Sequence, residues 1–213
     1  MKKVFTFTIL LLSITVMSFA HSWNPEKMKP DDFKNILLKV QKINQFNHLK
    51  SAEVDKQRLD SIVAETGAKY AYTYDSNGNL ILDVTYSRDG NVWKGDSKIE
   101  YSYDSNGMMI QEKDYEWDDD KNDWEPISII DLIYDSNQRP IELIMTQWDP
   151  DLNKWKKLFK SDVTYNANGS QQQIVFFMWD GVSEWTEAGG AEMTYDANGN
   201  LTEEISDLFG MKR

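Results

Sequence analysis

The sequence predicts an all-β protein, an antiparallel meander of about nine or ten strands built from five ~30-residue hairpin repeats, with a short N-terminal amphipathic helix. Three observations predict it. A six-residue turn signal recurs as YDSNGN at 74, YDSNGM at 103, YDSNQR at 134, YNANGS at 165 and YDANGN at 195. Its tyrosines stand 29, 31, 31 and 30 residues apart, a fixed period of the kind that marks repeat architectures. Between the copies lies a second set of turns, YSRDGNVW from 86, WDDDKNDW from 117, WDPDLNKW from 148 and WDGVSEW from 179. Each repeat therefore holds two turns and two strands.

Taken in order, residues 1–20, MKKVFTFTILLLSITVMSFA, carry two lysines, an apolar run and the small residues Ser18 and Ala20. That is the pattern of a secretory signal peptide cleaved before His21. It places the mature chain in the periplasm or outside the cell. The segment is short for a bilayer span and no other apolar run exists, so no membrane span is expected after cleavage. With no cysteine in the chain, neither a lipoprotein anchor nor a disulfide is expected. Residues 21–56 read as a helical lead-in, with Phe33, Ile36, Leu37, Val40 and Ile43 at helical spacing behind Pro30 and Asp31. Such a stripe suits a cover for one end or face of a sheet. The repeat domain then spans 57–213, opening on RLDSIV at 58–63, whose alternation favours a strand over a helix.

The turn chemistry specifies a register. Aspartate opens a type I turn and glycine in the left-handed conformation closes a three-residue loop with a bulge. With Ser76, Asn77 and Gly78 as that loop, Asp75 pairs with Asn79, Tyr74 with Leu80, Tyr72 with Leu82 and Tyr70 with Val84, which gathers the apolar residues on one face. A two-residue Asn-Gly loop would instead set Tyr72 against Asp83. At 134 the motif puts Gln138 where glycine is wanted, so that turn is expected to be looser or differently shaped. The strands before the turns alternate cleanly, as Ile99, Tyr101 and Tyr103 do against Lys98, Glu100 and Ser102. QQQIVFFMWD at 171–180 is apolar on both faces, which implies contact on both.

Charge narrows the partners. The formal net charge is −12, from 23 Lys and Arg against 35 Asp and Glu, and such a surface repels phosphate backbones, so nucleic acid is not expected as a partner. Aromatic residues make up 13% of the chain, more than an acidic disordered segment carries.

The recurring Tyr-Asp followed by Asn-Gly resembles the YD repeats of RHS and teneurin-type proteins, and of secreted repeat proteins of Gram-negative gut bacteria. Tyr74-Asp75, Tyr103-Asp104, Tyr134-Asp135 and Tyr195-Asp196 carry the resemblance, with Tyr165-Asn166 as a degenerate copy, over residues 58–205. It implies hairpins that bind carbohydrate or cell-surface partners, and no catalytic residues.

Candidate chemistry is concentrated in the second set of turns. Equivalent residues on alternate strands of a meander lie about 10 Å apart, so Trp117, Trp148 and Trp179 would line an aromatic platform for polysaccharide, flanked across the turns by Trp124, Trp155 and Trp185. The competing reading is that these tryptophans pack on one another to stabilise the sheet. Asp118, Asp120 and Asn122, and again Asp149, Asp151 and Asn153, set oxygens at alternate positions, as calcium loops begin. Neither loop has glycine at the sixth place, and Ile129 and Lys160 stand where glutamate would close the site. These residues read first as solvated turn formers. His21 and His48 are the only histidines; a free N-terminal His21 paired with another histidine would suit copper, but a metal site also needs oriented partners, so His21 reads as a coincidence of the cleavage boundary, and no nucleophile-elbow pattern occurs. The expectation is an exported, non-enzymatic repeat protein without a cofactor, offering a β-surface to a polysaccharide or a cell-surface protein. A protein adhesion or scaffold role is the alternative, ahead of a polysaccharide-active enzyme.

Overall fold

The computed structural model describes residues 60–65 and 67–208. The expected signal peptide, the expected helix within 31–49, His21 and His48 lie outside the described residues. Among the described residues there is no helix, and eleven strands follow one another in chain order in an antiparallel sheet. They are β1 (Ser61–Val63), β2 (Lys69–Tyr74), β3 (Leu80–Asp89), β4 (Val92–Tyr103), β5 (Met109–Asp118), β6 (Asp123–Tyr134), β7 (Pro140–Asp149), β8 (Lys154–Tyr165), β9 (Gln171–Trp179), β10 (Trp185–Tyr195) and β11 (Leu201–Leu208). The count exceeds the expected nine or ten because β1, the described part of RLDSIV that is strand, adds to two strands from each repeat. Contacts divide the chain into two compact units, Met1–Ile129 and Ile130–Arg213, each described below by itself.

Local chemistry builds the first turn as the sequence implies. The Asp75 amide donates to the Asn79 carbonyl at 2.9 Å and the Gly78 amide to the Asp75 carbonyl at 3.1 Å, with Gly78 at φ 89°. The Asp75 carboxylate accepts from the Asn79 amide at 2.8 Å, so the side chain closes the loop that its backbone opens. Tyr74 faces Leu80 as expected, but the pairing then departs from it: Thr73 faces Leu82, Tyr72 faces Asp83 and Tyr70 faces Thr85. The cause is a second bulge, in which Ile81 has no partner. Ile110, Gln172 and Thr202 are skipped in the same way after the turns at 103, 165 and 195. Bulges bend a strand and increase its twist, and this one sets an aspartate opposite Tyr72.

The turn at 134 is not looser. Gln138 takes φ 62°, and the Asp135 amide still reaches the Arg139 carbonyl at 2.9 Å. Arg139 Nε donates to Asp135 Oδ2 at 2.8 Å, a charge-assisted clamp across the loop that offsets the cost of a side chain in the left-handed region. Gln138→Gly is therefore expected to stabilise the protein by ~1 kcal/mol, read as a rise in the denaturant midpoint at unchanged slope.

The motif tyrosine has a structural task. Tyr103 donates its hydroxyl to the Leu80 carbonyl at 2.7 Å, and Tyr165 to the Pro140 carbonyl at 2.8 Å. Each hydroxyl thus ties a strand to the residue that follows the preceding repeat's turn.

The two units fill equivalent positions differently. In the first, one face runs Tyr72, Asp83, Ile99, Asp114 from strand to strand. Asp83, Glu112, Asp114, Ser97 and Ser128 are all buried there beside Ile99 and Tyr101. In the second, the positions of Glu112 and Asp114, counted back from the strand-ending tryptophan, are Leu143 and Met145 in β7 and Ile174 and Phe176 in β9. All four are buried.

Candidate functional site

The tryptophans meet in pairs across the second set of turns. Trp148 faces Trp155 and Trp179 faces Trp185 in the strand register. Ring centroids are 5.2 Å apart for Trp117 and Trp124, 5.2 Å for Trp148 and Trp155, and 5.1 Å for Trp179 and Trp185. All three pairs are edge-to-face, the arrangement that the ring quadrupole favours. The first such turn uses Arg88 against Trp93, with the guanidinium 5.8 Å from the ring centre. The structure thus joins each expected platform residue to its expected flank as one unit. The pairs are only partly covered, and Trp155 keeps 38% of its surface exposed.

The acidic residues between the tryptophans have backbone duties. Asp118 Oδ1 accepts from the amides of Asp120 and Lys121, both at 2.9 Å. Asp149 Oδ1 accepts from the Leu152 amide at 2.9 Å, while its other oxygen is ion-paired with Lys156. Backbone amides hold the Asp118 carboxyl below the usual carboxylate range, and the Lys156 ammonium does the same first for Asp149. Asn122 at φ 52° and Asn153 at φ 48° occupy the left-handed corner of each loop, where asparagine is among the few tolerated side chains. Asp120 and Asp151 are exposed at the tips. Among the described residues, no group of three His, Cys, Asp or Glu side chains is arranged to hold a metal ion.

Two residues that sequence reasoning passed over shape what surrounds the pairs. Gly95 in β4 and Lys157 in β8 occupy equivalent places, opposite Tyr86 and Thr146, two residues beyond Trp93 and Trp155. A Cβ on Gly95 would stand 2.6 Å from Trp117 and 2.9 Å from Trp124, so in the first unit that pair lies directly on the backbone. In the second unit Lys157 Nζ lies 4.6 Å from the centre of Trp179 and 5.9 Å from Trp185. The run Lys154-Trp155-Lys156-Lys157 is a detectable sign in an acidic chain. Its counterparts are Val92-Trp93-Lys94-Gly95, Asp123-Trp124-Glu125-Pro126 and Glu184-Trp185-Thr186-Glu187.

The buried carboxylates of the first unit form a second feature. Ser128 donates its hydroxyl to Asp114 Oδ2 at 2.5 Å, and Tyr101 lies opposite Glu112. Burial pushes the Tyr101 phenol well above its ordinary value, and Glu112, Asp83 and Asp114 push it further. Tyr72 is raised by burial and then by Asp83. Nothing in the sequence distinguishes these acids from solvated ones, because a period-2 pattern places them on a face without saying that the face is closed.

The resemblance to YD-repeat proteins is corrected by the comparisons with known proteins. Residues 59–134 match the model of a family of unknown function, DUF3836, and no YD-repeat family matches. The Tyr-Asp…Asn-Gly signal is a local solution to closing a bulged hairpin, so it carries little information about descent. None of the curated proteins matches the chain. Among solved structures, the chain is similar to a protein of unknown function from Bacteroides fragilis, at 16% identity and TM-score 0.49, covering 60% of this chain and 93% of that one. It is also similar to a DUF3836 family protein from Bacteroides vulgatus, at 18% identity and TM-score 0.36 over 43% of this chain and 91% of that one. A DUF3836 family protein from Parabacteroides distasonis is similar at 23% identity and TM-score 0.35, over 43% of this chain and 89% of that one.

Proposed function

We propose that the protein is exported and non-enzymatic, and that it binds polysaccharide through the tryptophan pairs at the ends of its hairpins. The partly covered edge-to-face pairs, with Trp155 exposed at their edge, carry this reading. An edge-to-face pair leaves one face of the accepting ring uncovered by its partner, and an indole face held in place binds an apolar sugar face at little further entropic cost. The N-terminal signal sequence supports a site of action where polysaccharide is met. Trp155→Ala is expected to weaken polysaccharide binding at least ~tenfold, as truncation of a central aromatic contact does, while the melting temperature moves by a few degrees. A wild-type protein that binds no polysaccharide, with a Trp155→Ala variant that fails to fold, would reject the reading. A protein adhesion or scaffold role has its own support in β11, the last strand of the sheet among the described residues, where Leu201 is 51% and Ile205 is 59% exposed; sheet edges accept partner strands.

A further inference from the structure

Among the described residues Lys157 is a cation without a carboxylate. Lys94, Lys98, Lys121, Lys156 and Lys160 each lie within ion-pair distance of an acid, while Lys69 and Arg88, like Lys157, lie over aromatic rings without an ion pair. Lys157 rests over the Trp179 ring at 4.6 Å. Scarcity of acids does not explain this, since the chain has 35 of them against 23 lysines and arginines. Lys157 follows Trp155 by two residues on one strand with no bulge between them, so the two share a face. That face therefore runs from the exposed Trp155 ring to an ammonium group, and on to the Trp179–Trp185 pair.

We propose that Trp155, Lys157 and the Trp179–Trp185 pair form a subsite for a negatively charged sugar, with the ammonium pairing the ligand's anion while indoles take the sugar faces beside it. This deepens the polysaccharide reading and rests on it. An ammonium held against an aromatic ring keeps its hydrogen-bond donors for a further acceptor, and an anion is the acceptor that gains most from it. The first unit has no such subsite, because Gly95 stands at the equivalent position and the Trp117–Trp124 pair fills the space. The ligand's anion is a carboxylate or a sulfate ester, and the choice of probe separates the two.

Calorimetric titration of the purified protein with polygalacturonate, dextran sulfate and neutral dextran tests the proposal, with Lys157→Met and Lys157→Arg alongside. The wild type is expected to bind at least one of the two charged polymers more tightly than dextran. Lys157→Met should lose about tenfold of that affinity, and Lys157→Arg should retain it. Binding of polygalacturonate alone assigns a carboxylate, and binding of dextran sulfate alone a sulfate. Equal loss in both variants, or tight binding of neutral dextran unaffected by Lys157→Met, overturns the charged subsite while leaving polysaccharide binding standing. No binding to any of the three polymers by the wild type overturns the subsite, and failure on a broader panel of neutral glycans would remove the underlying reading as well.

Discussion

Replacing Phe159 with alanine is expected to destabilise the protein by about 3–5 kcal/mol, the cost of emptying a closed aromatic site. Phe159 is 1% exposed. It lies between Met145 of β7 and Met178 of β9 in the strand register, and its ring centre is 5.9 Å from that of Phe176. Met145, Leu143 and Phe176 are themselves buried, so the cavity would be lined by side chains held in place on both neighbouring strands. In the first unit the equivalent position in β4 is Ser97, which means that the second unit depends on a large side chain where the first does not. Denaturant unfolding followed by circular dichroism measures the loss. The chain's two compact units allow for two transitions, and the Phe159→Ala effect belongs to the one that reports the second unit. A loss below ~1 kcal/mol would place Phe159 outside a closed core.

The second large effect is alkaline unfolding. Tyr101 is buried and its phenol is raised well above the ordinary value of 10.0 by desolvation and then by Glu112, Asp83 and Asp114. Burial pushes Tyr165 up to about 12, and burial and then the hydrogen bond to Glu100 push Tyr115 up to about 12. A phenol whose folded pKa lies above its unfolded one binds its proton more tightly in the native state. The stability it contributes is complete below pH 10 and is lost as the pH rises through the folded values. Lys94, Lys121 and Lys160 are raised above 10.5 and act in the same direction. The protein is therefore expected to hold constant stability from pH 8 to near 10 and to lose it steeply toward 12. Tyr101→Phe removes the phenol least able to ionise in place, so its alkaline midpoint should move to higher pH. A wild type and a Tyr101→Phe variant that unfold at the same pH would show that the carboxylates around Tyr101 are not felt by its hydroxyl.

What the sequence made legible was set by short-range chemistry. Asp75 and Gly78 announce a turn because both act within the loop itself, and the alternation of Ile99 and Tyr101 against Lys98 and Glu100 follows from the pleat. The second bulge was not legible, because Ile81, Ile110, Gln172 and Thr202 share no chemistry that marks them as the skipped residue. The burial of Glu112 and Asp114 escaped for a related reason: acids of a period-2 pattern read as solvated until the closure of their face is known. At the turns, Trp148 and Trp155 were identifiable as neighbours of the loop, but their edge-to-face contact depends on a register that only the four-residue loop between Asp149 and Lys154 sets. Lys157 was hidden because its significance lies in the strand beside it, where Trp179 stands.

The proposed role of the tryptophan pairs is to bind polysaccharide as well as to pack. Titrating the protein with a panel of soluble polysaccharides, neutral and charged, while following intrinsic tryptophan fluorescence tests it most directly. A saturable change in emission with at least one polysaccharide, lost in Trp155→Ala at unchanged folded content, is the predicted result. An emission spectrum that no member of the panel alters, with iodide quenching no stronger in the folded protein than for buried indoles, would contradict it.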